Sequence, residues 1–393
     1  MKRAAAVVLA VLAGGCAYMP EMPKPPSLGN SLPSWMPGAK DESKRPMKLT
    51  DIEQRVAPRA LWQASVGKSA GYRFFPAVDG DKVATAAADG TVSILDAATG
   101  KQVVRIEAGA KLASGVGSAD GRVVVVTTKG DVLAFDNAGK ELWKSPVAGE
   151  VLAPPALAGG VVVLRTSDGR VFALNAADGK RRWVYQRASP ALTLRSDAGV
   201  IATRTEVVAG YPGGKLIALD LADGKLTWEA TLALPRGATE LERISDVGGV
   251  PLIEGGRICA AAYQGKIACF EIASSNLIWS RDISSANSIA GDSRYFYAAD
   301  VDGMVVALDR NSGANIWKQD KLARRKLTSP VVVDGNVVVG DVEGFLHFIS
   351  PEDGSMIGRF ATDGTPINAI VPAASGKSIF VQTAGGNLYS ISL

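Results

Sequence analysis

The sequence has little of what most enzymes use. Its 393 residues include one histidine, His347, and three cysteines. A lone histidine leaves no material for a His-based metal centre or a His-based acid–base relay; no metal and no cofactor are expected. Aromatic residues make up only 6%, and beyond the N-terminus no long stretch repeats its apolar residues at helical spacing. Neither sign of charge dominates, with 43 Lys and Arg against 39 Asp and Glu. The formal net charge is +4 with no basic stripe, which argues against nucleic acid as a partner. What is abundant is glycine, 43 residues, and apolar side chains, 47% of the chain. Asp-Gly pairs between Val- and Ala-rich runs point to short strands joined by tight turns.

Residues 1–15 have the form of a signal peptide. Lys2 and Arg3 precede an apolar run from Ala4 to Ala13, which is too short to span a bilayer as a helix. The run ends in Leu12-Ala13-Gly14-Gly15-Cys16, which resembles a bacterial lipobox, with Ala13 where such signals usually carry leucine. The resemblance implies that Cys16 becomes the lipidated first residue of the mature chain. Ala17 after it implies sorting to the outer membrane, with the protein lipid-anchored on the periplasmic face. Several acyl chains on one residue anchor firmly where a single chain binds only marginally. Residues 16–57 then read as a tether, because Pro20, Pro23, Pro25, Pro26, Pro33, Pro37 and Pro46 favour an extended chain.

Residues 58–393 are built on a repeat. The clearest copies are GKLIALDLADGKLTW from Gly214, GKIACFEIASSNLIW from Gly265 and GMVVALDRNSGANIW from Gly303. Weaker copies begin at Gly90, Gly130, Gly169, Gly344 and Gly386. Intervals between successive copies are 40, 39, 45, 51, 38, 41 and 42 residues. A period near 40 with two turns and alternating aliphatic residues is one propeller blade. The expected fold is therefore all-β: an eight-bladed β-propeller of four-stranded antiparallel blades. Asp89-Gly90, Asp168-Gly169 and Asp302-Gly303 supply hairpin turns. Trp143, Trp183, Trp228, Trp279 and Trp317 end the outer strand at one phase, where each indole can cover a gap between blades and donate to a carbonyl. The last copy stops at Leu393, one strand short. Ala60-Leu61-Trp62-Gln63 supplies that strand from the other end, closing the ring without open edges.

The two longest intervals, 45 and 51 residues, are neighbours in the chain. Extra residues in a repeat fold usually map to loops on one working face. The first such connection carries Leu192 and Leu194 beside Arg195, an apolar anchor with a hydrogen-bonding neighbour. The second contains residues 236–246.

The motif Asp-Gly-x-Val-x-Ala-Leu-Asp…Gly-x-x-x-Trp resembles the quinoprotein-type (PQQ-like) propeller repeat. With the lipobox and the tether, Leu192-Thr193-Leu194-Arg195 and residues 239–247, 327–331 and 339–347 make the whole chain similar to the BamB family. That resemblance implies a non-catalytic scaffold of the outer-membrane β-barrel assembly (BAM) complex. Such a subunit binds a periplasmic POTRA domain of BamA and supports folding and insertion of outer-membrane proteins. By the same resemblance Leu192, Leu194, Arg195 and Asp246 are the BamA-binding residues. Gly248 stands where the family has a second acidic residue.

Two other functions compete. A quinoprotein-type periplasmic dehydrogenase would hold its quinone and Ca²⁺ near the axis, and several such enzymes carry an adjacent-cysteine disulfide over the cofactor. This chain has no Cys-Cys pair and little length beyond the blades. Direct binding of unfolded outer-membrane proteins by β-augmentation on a blade edge is the other, on which the sequence is silent. Cys259 and Cys269 flank a hairpin turn and are a candidate disulfide in an oxidising periplasm, or equally two buried thiols. His347 is expected to be a packing residue, and Ala323-Arg324-Arg325-Lys326 a solvated basic loop.

Overall fold

The computed structural model describes residues 45–188, 190 and 192–393. The strands among them form eight four-stranded antiparallel sheets. Blades I to VII span residues 77–107, 112–146, 156–185, 200–231, 247–281, 290–319 and 331–361. Blade VIII combines residues 367–392 with the strand Arg59–Ser65, which pairs antiparallel with Asn387–Ser392 and sets Trp62 opposite Ser390.

Strand composition follows position in the blade. An inner strand such as Val161–Arg165 is buried throughout, because a neighbouring blade covers each face, and it reads as a continuous aliphatic run. An outer strand such as Arg181–Tyr185 buries only its central tryptophan. The apolar core is accordingly a set of eight seams, one between each pair of successive blades. The seam that closes the ring packs Val66, Phe380 and Leu388 against Val83 and Leu95.

Five of the six outer-strand tryptophans latch their blade to the next through the indole N–H. The Nε1 atoms of Trp62, Trp143, Trp183, Trp279 and Trp317 donate to the carbonyls of Ala97, Ala176, Leu221, Arg310 and Pro351 at 2.8–3.1 Å. The ring lies over a turn glycine of the next blade. At Gly313, for instance, φ is +66° and a Cβ would sit 2.5 Å from Trp279. Blade IV departs from this pattern. Ser275, at φ +60°, stands where the others have glycine, and Trp228 is only half-buried, with no partner for Nε1.

Residues 47–56, within the proline-marked tether segment, lie against blades VI and VII. Met47 N donates to Ala323 O at 3.0 Å, and Leu49 and Ile52 pack on the seam between the two blades. Arg359 donates to Thr50 O at 3.2 Å. Arg55 N and Val56 N both donate to Ile357 O. Blade VII has Gly358 at the tryptophan position, and Val56 occupies the space above it. Cys16 lies outside the described residues.

The basic run at 323–326 is not a uniformly solvated loop. Arg325 is buried, donating to Asp341 Oδ2 at 2.6 Å, Glu343 Oε2 at 2.5 Å and Met47 O at 2.6 Å. A buried guanidinium persists only where its donors are matched by acceptors and counter-charge. His347, also buried, shares Asp341 Oδ2 through Nε2 at 2.8 Å. Its Nδ1 has no partner.

Candidate docking surface

In an antiparallel blade read from inside to outside, the exit from the outer strand shares an end with the turn between strands two and three. The structure repeats this contact blade after blade. Ala108 N, Val147 N, Leu232 N and Thr362 N donate to the turn glycines 90, 130, 214 and 344 at 2.8–2.9 Å. All blade-to-blade connections therefore emerge on one face. The two longest, residues 186–199 (III to IV) and 232–246 (IV to V), stand side by side there.

Asp246 joins them. Its Oδ2 accepts from Leu194 N at 2.5 Å, and its Oδ1 from Gly213 N at 3.0 Å. Only 3% of Asp246 is exposed, so it acts on the surface from beneath. Buried Arg165 lies close, donating to Ala198 O at 3.2 Å. Burial pulls the Arg165 guanidinium below the usual arginine value, against the opposing field of Asp246. The first connection is thus held from its own residues 194 and 198.

On top of this base the side chains divide. Leu192 is 42% exposed and Leu194 half-buried. Arg195 is 61% exposed and grips Glu150 with two bonds, at 2.7 and 3.1 Å. The hydrogen bond to Glu150 raises the Arg195 guanidinium above its ordinary value, so it stays charged. Asp197 pairs with Arg73 at 3.2 Å, tying this connection to the one that enters blade I. The second connection caps itself. Glu242 accepts from Ala238 N and Thr239 N at 2.8 and 3.1 Å, and Thr239 Oγ1 accepts from Glu242 N at 3.3 Å. This capping box presents Leu241 at 66% exposure.

Comparison with known proteins decides the family. A family model described as "Outer membrane protein assembly factor BamB" matches residues 54–114, 88–319 and 301–393. The chain belongs to the BamB family. A BamB of Nitrosomonas eutropha is 42% identical over 387 residues, 98% of this chain and 93% of its own length. One of Bordetella pertussis is 41% identical over 354 residues, 89% and 91% of the two chains. The crystal structure of BamB from Moraxella catarrhalis superposes with a TM-score of 0.79 at 25% identity, covering 86% of this chain and all of that one. A quinohemoprotein alcohol dehydrogenase from Comamonas testosteroni, at 12% identity and a TM-score of 0.67, shares the fold.

A quinone with Ca²⁺ on the propeller axis would need an open cavity with unpaired oxygen ligands. The axial cavity is about 110 Å³ and is lined by Arg73, Asp197, Ser288, Ser329 and Asn368 among others. Its one carboxylate is already paired to Arg73, and no group of three acidic, His or Cys residues able to hold a metal occurs among the described residues. The residues present do not fit that cofactor.

Gly248, where the family resemblance leads one to look for a second acid, packs against the connection from blade V to blade VI. A Cβ there would lie 2.4 Å from Ala286 O, so an acidic side chain needs a shifted backbone. Cys259 and Cys269 face each other on adjacent strands of blade V, buried and joined by a disulfide. Sequence reasoning passed over Glu150, Arg73 and Leu241. The Thr239-x-x-Glu242 spacing was a legible signal for the last. Nothing local marks the other two, since they come from distant connections.

Proposed function

We propose that this BamB-family chain is a non-catalytic scaffold of outer-membrane protein assembly, held on the periplasmic face of the outer membrane by a lipidated Cys16. It binds a periplasmic POTRA domain of BamA through Leu192, Leu194 and Arg195, with Asp246 setting their placement. One observation carries the reading: the two longest connections are stapled together by a buried carboxylate, beneath an exposed leucine and a fixed guanidinium. A clustered apolar anchor with a charged neighbour is the composition of an interface hot spot.

A pull-down from detergent-solubilised membranes, with the lipidated protein as bait, tests it. BamA is expected with the wild type and is expected to be lost with Arg195→Glu or Leu192→Asp, while both variants melt as the wild type does. Undiminished recovery with both substitutions would remove this surface from the assembly. Replacing Cys16 by serine is expected to move the protein from the membrane fraction to the soluble one.

A further inference from the structure

Residues 47–52 fill a groove on the rim between blades VI and VII, starting from the connection face; Arg55 and Val56 then cross the outer strand of blade VII, and Val56 packs on the VII/VIII seam. The same groove recurs between blades IV and V. Counting from the outer-strand tryptophans sets Trp228 against Trp317 and Ala233 against Leu322. The structure agrees with this count, because Ala233 O and Leu322 O each lie over the turn glycine of their own blade. By that register Leu234 corresponds to Ala323, which accepts from Met47 N, and Arg236 to Arg325, which donates to Met47 O. On the far wall, Trp279 corresponds to Gly358, so Leu277 matches Met356 and Ser280 matches Arg359.

The four IV/V counterparts, Leu234, Arg236, Leu277 and Ser280, line one open cavity of about 470 Å³. Its apolar walls face solvent: Leu234 is 63% exposed and Leu277 54%. Trp228 at the same seam is half-buried with an unpartnered Nε1, and Ser275 has displaced the glycine latch. This groove opens beside the connection that carries Asp246, on the face that presents Leu192 and Arg195.

We propose that the groove between blades IV and V is a second binding site, which takes an extended segment of another polypeptide as the VI/VII groove takes residues 47–52. The segment enters from the connection face. It lays aliphatic side chains on Leu234 and Leu277 and offers a backbone carbonyl to Arg236, the chemistry that Leu49, Ile52 and the Met47 carbonyl supply in the occupied copy. Edge recognition of this kind draws on main-chain hydrogen bonds, with side-chain pockets for selectivity. The site stands on this register and does not require the BamA reading.

A fluorescein-labelled peptide of residues 46–57, titrated against the full-length protein and followed by anisotropy, tests the proposal. Saturable binding is expected, weakened about tenfold or more by Leu277→Asp and by Arg236→Glu. Leu61→Asp, an exposed leucine elsewhere on the rim, and Arg195→Glu are expected to leave it unchanged, which separates this site from the docking surface. Melting curves identify any variant that fails to fold, and the two groove variants stand in for each other. Absence of saturation up to about 1 mM overturns the site. So does binding lost on Arg359→Glu but kept in Leu277→Asp, which would mean exchange with the chain's own segment. A dimer in sedimentation that Leu277→Asp dissolves would put a second copy there and overturn the partner.

Discussion

Leu194 N and Asp246 Oδ2 meet at 2.5 Å across 52 residues of chain, and this bond joins the two longest connections of the propeller. The carboxylate is buried while the leucine it holds is partly open. A residue that gains nothing by touching a partner can still decide whether the partner finds its surface.

Asp246→Ala removes the acceptor for two partly buried backbone N–H groups, at a cost of up to about 1–3 kcal/mol. It should lower both the melting temperature and BamA recovery. Arg195→Glu should lower recovery alone, because an exposed ion pair contributes only about 0–1 kcal/mol to folding. Equal loss of thermal stability in the two variants would contradict this division.

Arg325 carries a different expectation. Arg325→Ala takes the guanidinium from the buried Asp341 carboxylate, which keeps His347 Nε2 and two backbone N–H groups, and deprives Met47 O of its donor. Breaking such a buried pair costs about 3–5 kcal/mol. Limited trypsin digestion should then cut after Lys48 much faster than in the wild type, since residues 47–56 lose their upper attachment. Unchanged cleavage would show that the apolar contacts of Leu49 and Ile52 suffice.

The tryptophan latches predict opposite effects at two turn positions. Gly313→Ala places a Cβ against Trp279 at a positive φ and should destabilise by about 1–3 kcal/mol. Ser275→Gly relieves a non-glycine residue of its left-handed backbone, worth about 1 kcal/mol, and makes room for Trp228. It should raise the melting temperature, measured by calorimetry. A neutral or destabilising result would detach the half-buried state of Trp228 from Ser275.

Acidification should destabilise the fold through the His347–Asp341 pair. Burial is the largest influence on His347 and holds its folded value below the ordinary 6.5. The unfolded chain therefore binds the proton first, and stability falls as pH drops below 6.5. Burial is the largest single influence on Asp341 and pushes it up, but the hydrogen bonds from His347, Phe345 N and Arg325 together outweigh it and hold the carboxyl below 3.8; its contribution is present above 3.8 and fades as pH falls through the folded value. The chain has one histidine, so His347→Gln should flatten the slope of denaturant stability between pH 6.5 and about 4.5. An identical slope in the variant would assign the acid sensitivity elsewhere.

Much of this was legible in the chain itself. Period, turn glycines and tryptophan phase are local features repeated eight times, and each copy restrains the reading of the others. They led to the number of blades, the strand order and the role of Trp62 in closing the ring. The two long intervals led to the two longest connections, side by side on one face, for the same reason, since blade length is otherwise nearly constant. The proline content of residues 16–57 was a poorer guide: it marked an extended chain, but extension alone does not say what the chain lies against.

By itself the sequence determined the repeat, and with it the fold and the face on which its irregular connections gather. Tertiary structure decided which residues of those connections are surface and which are foundation. Asp246 and Arg325 look alike in sequence, charged residues in polar loops, and both are buried. Burial of a charge depends on partners such as Leu194, Gly213, Asp341 and Met47, brought together from distant positions, and no local pattern records those distances.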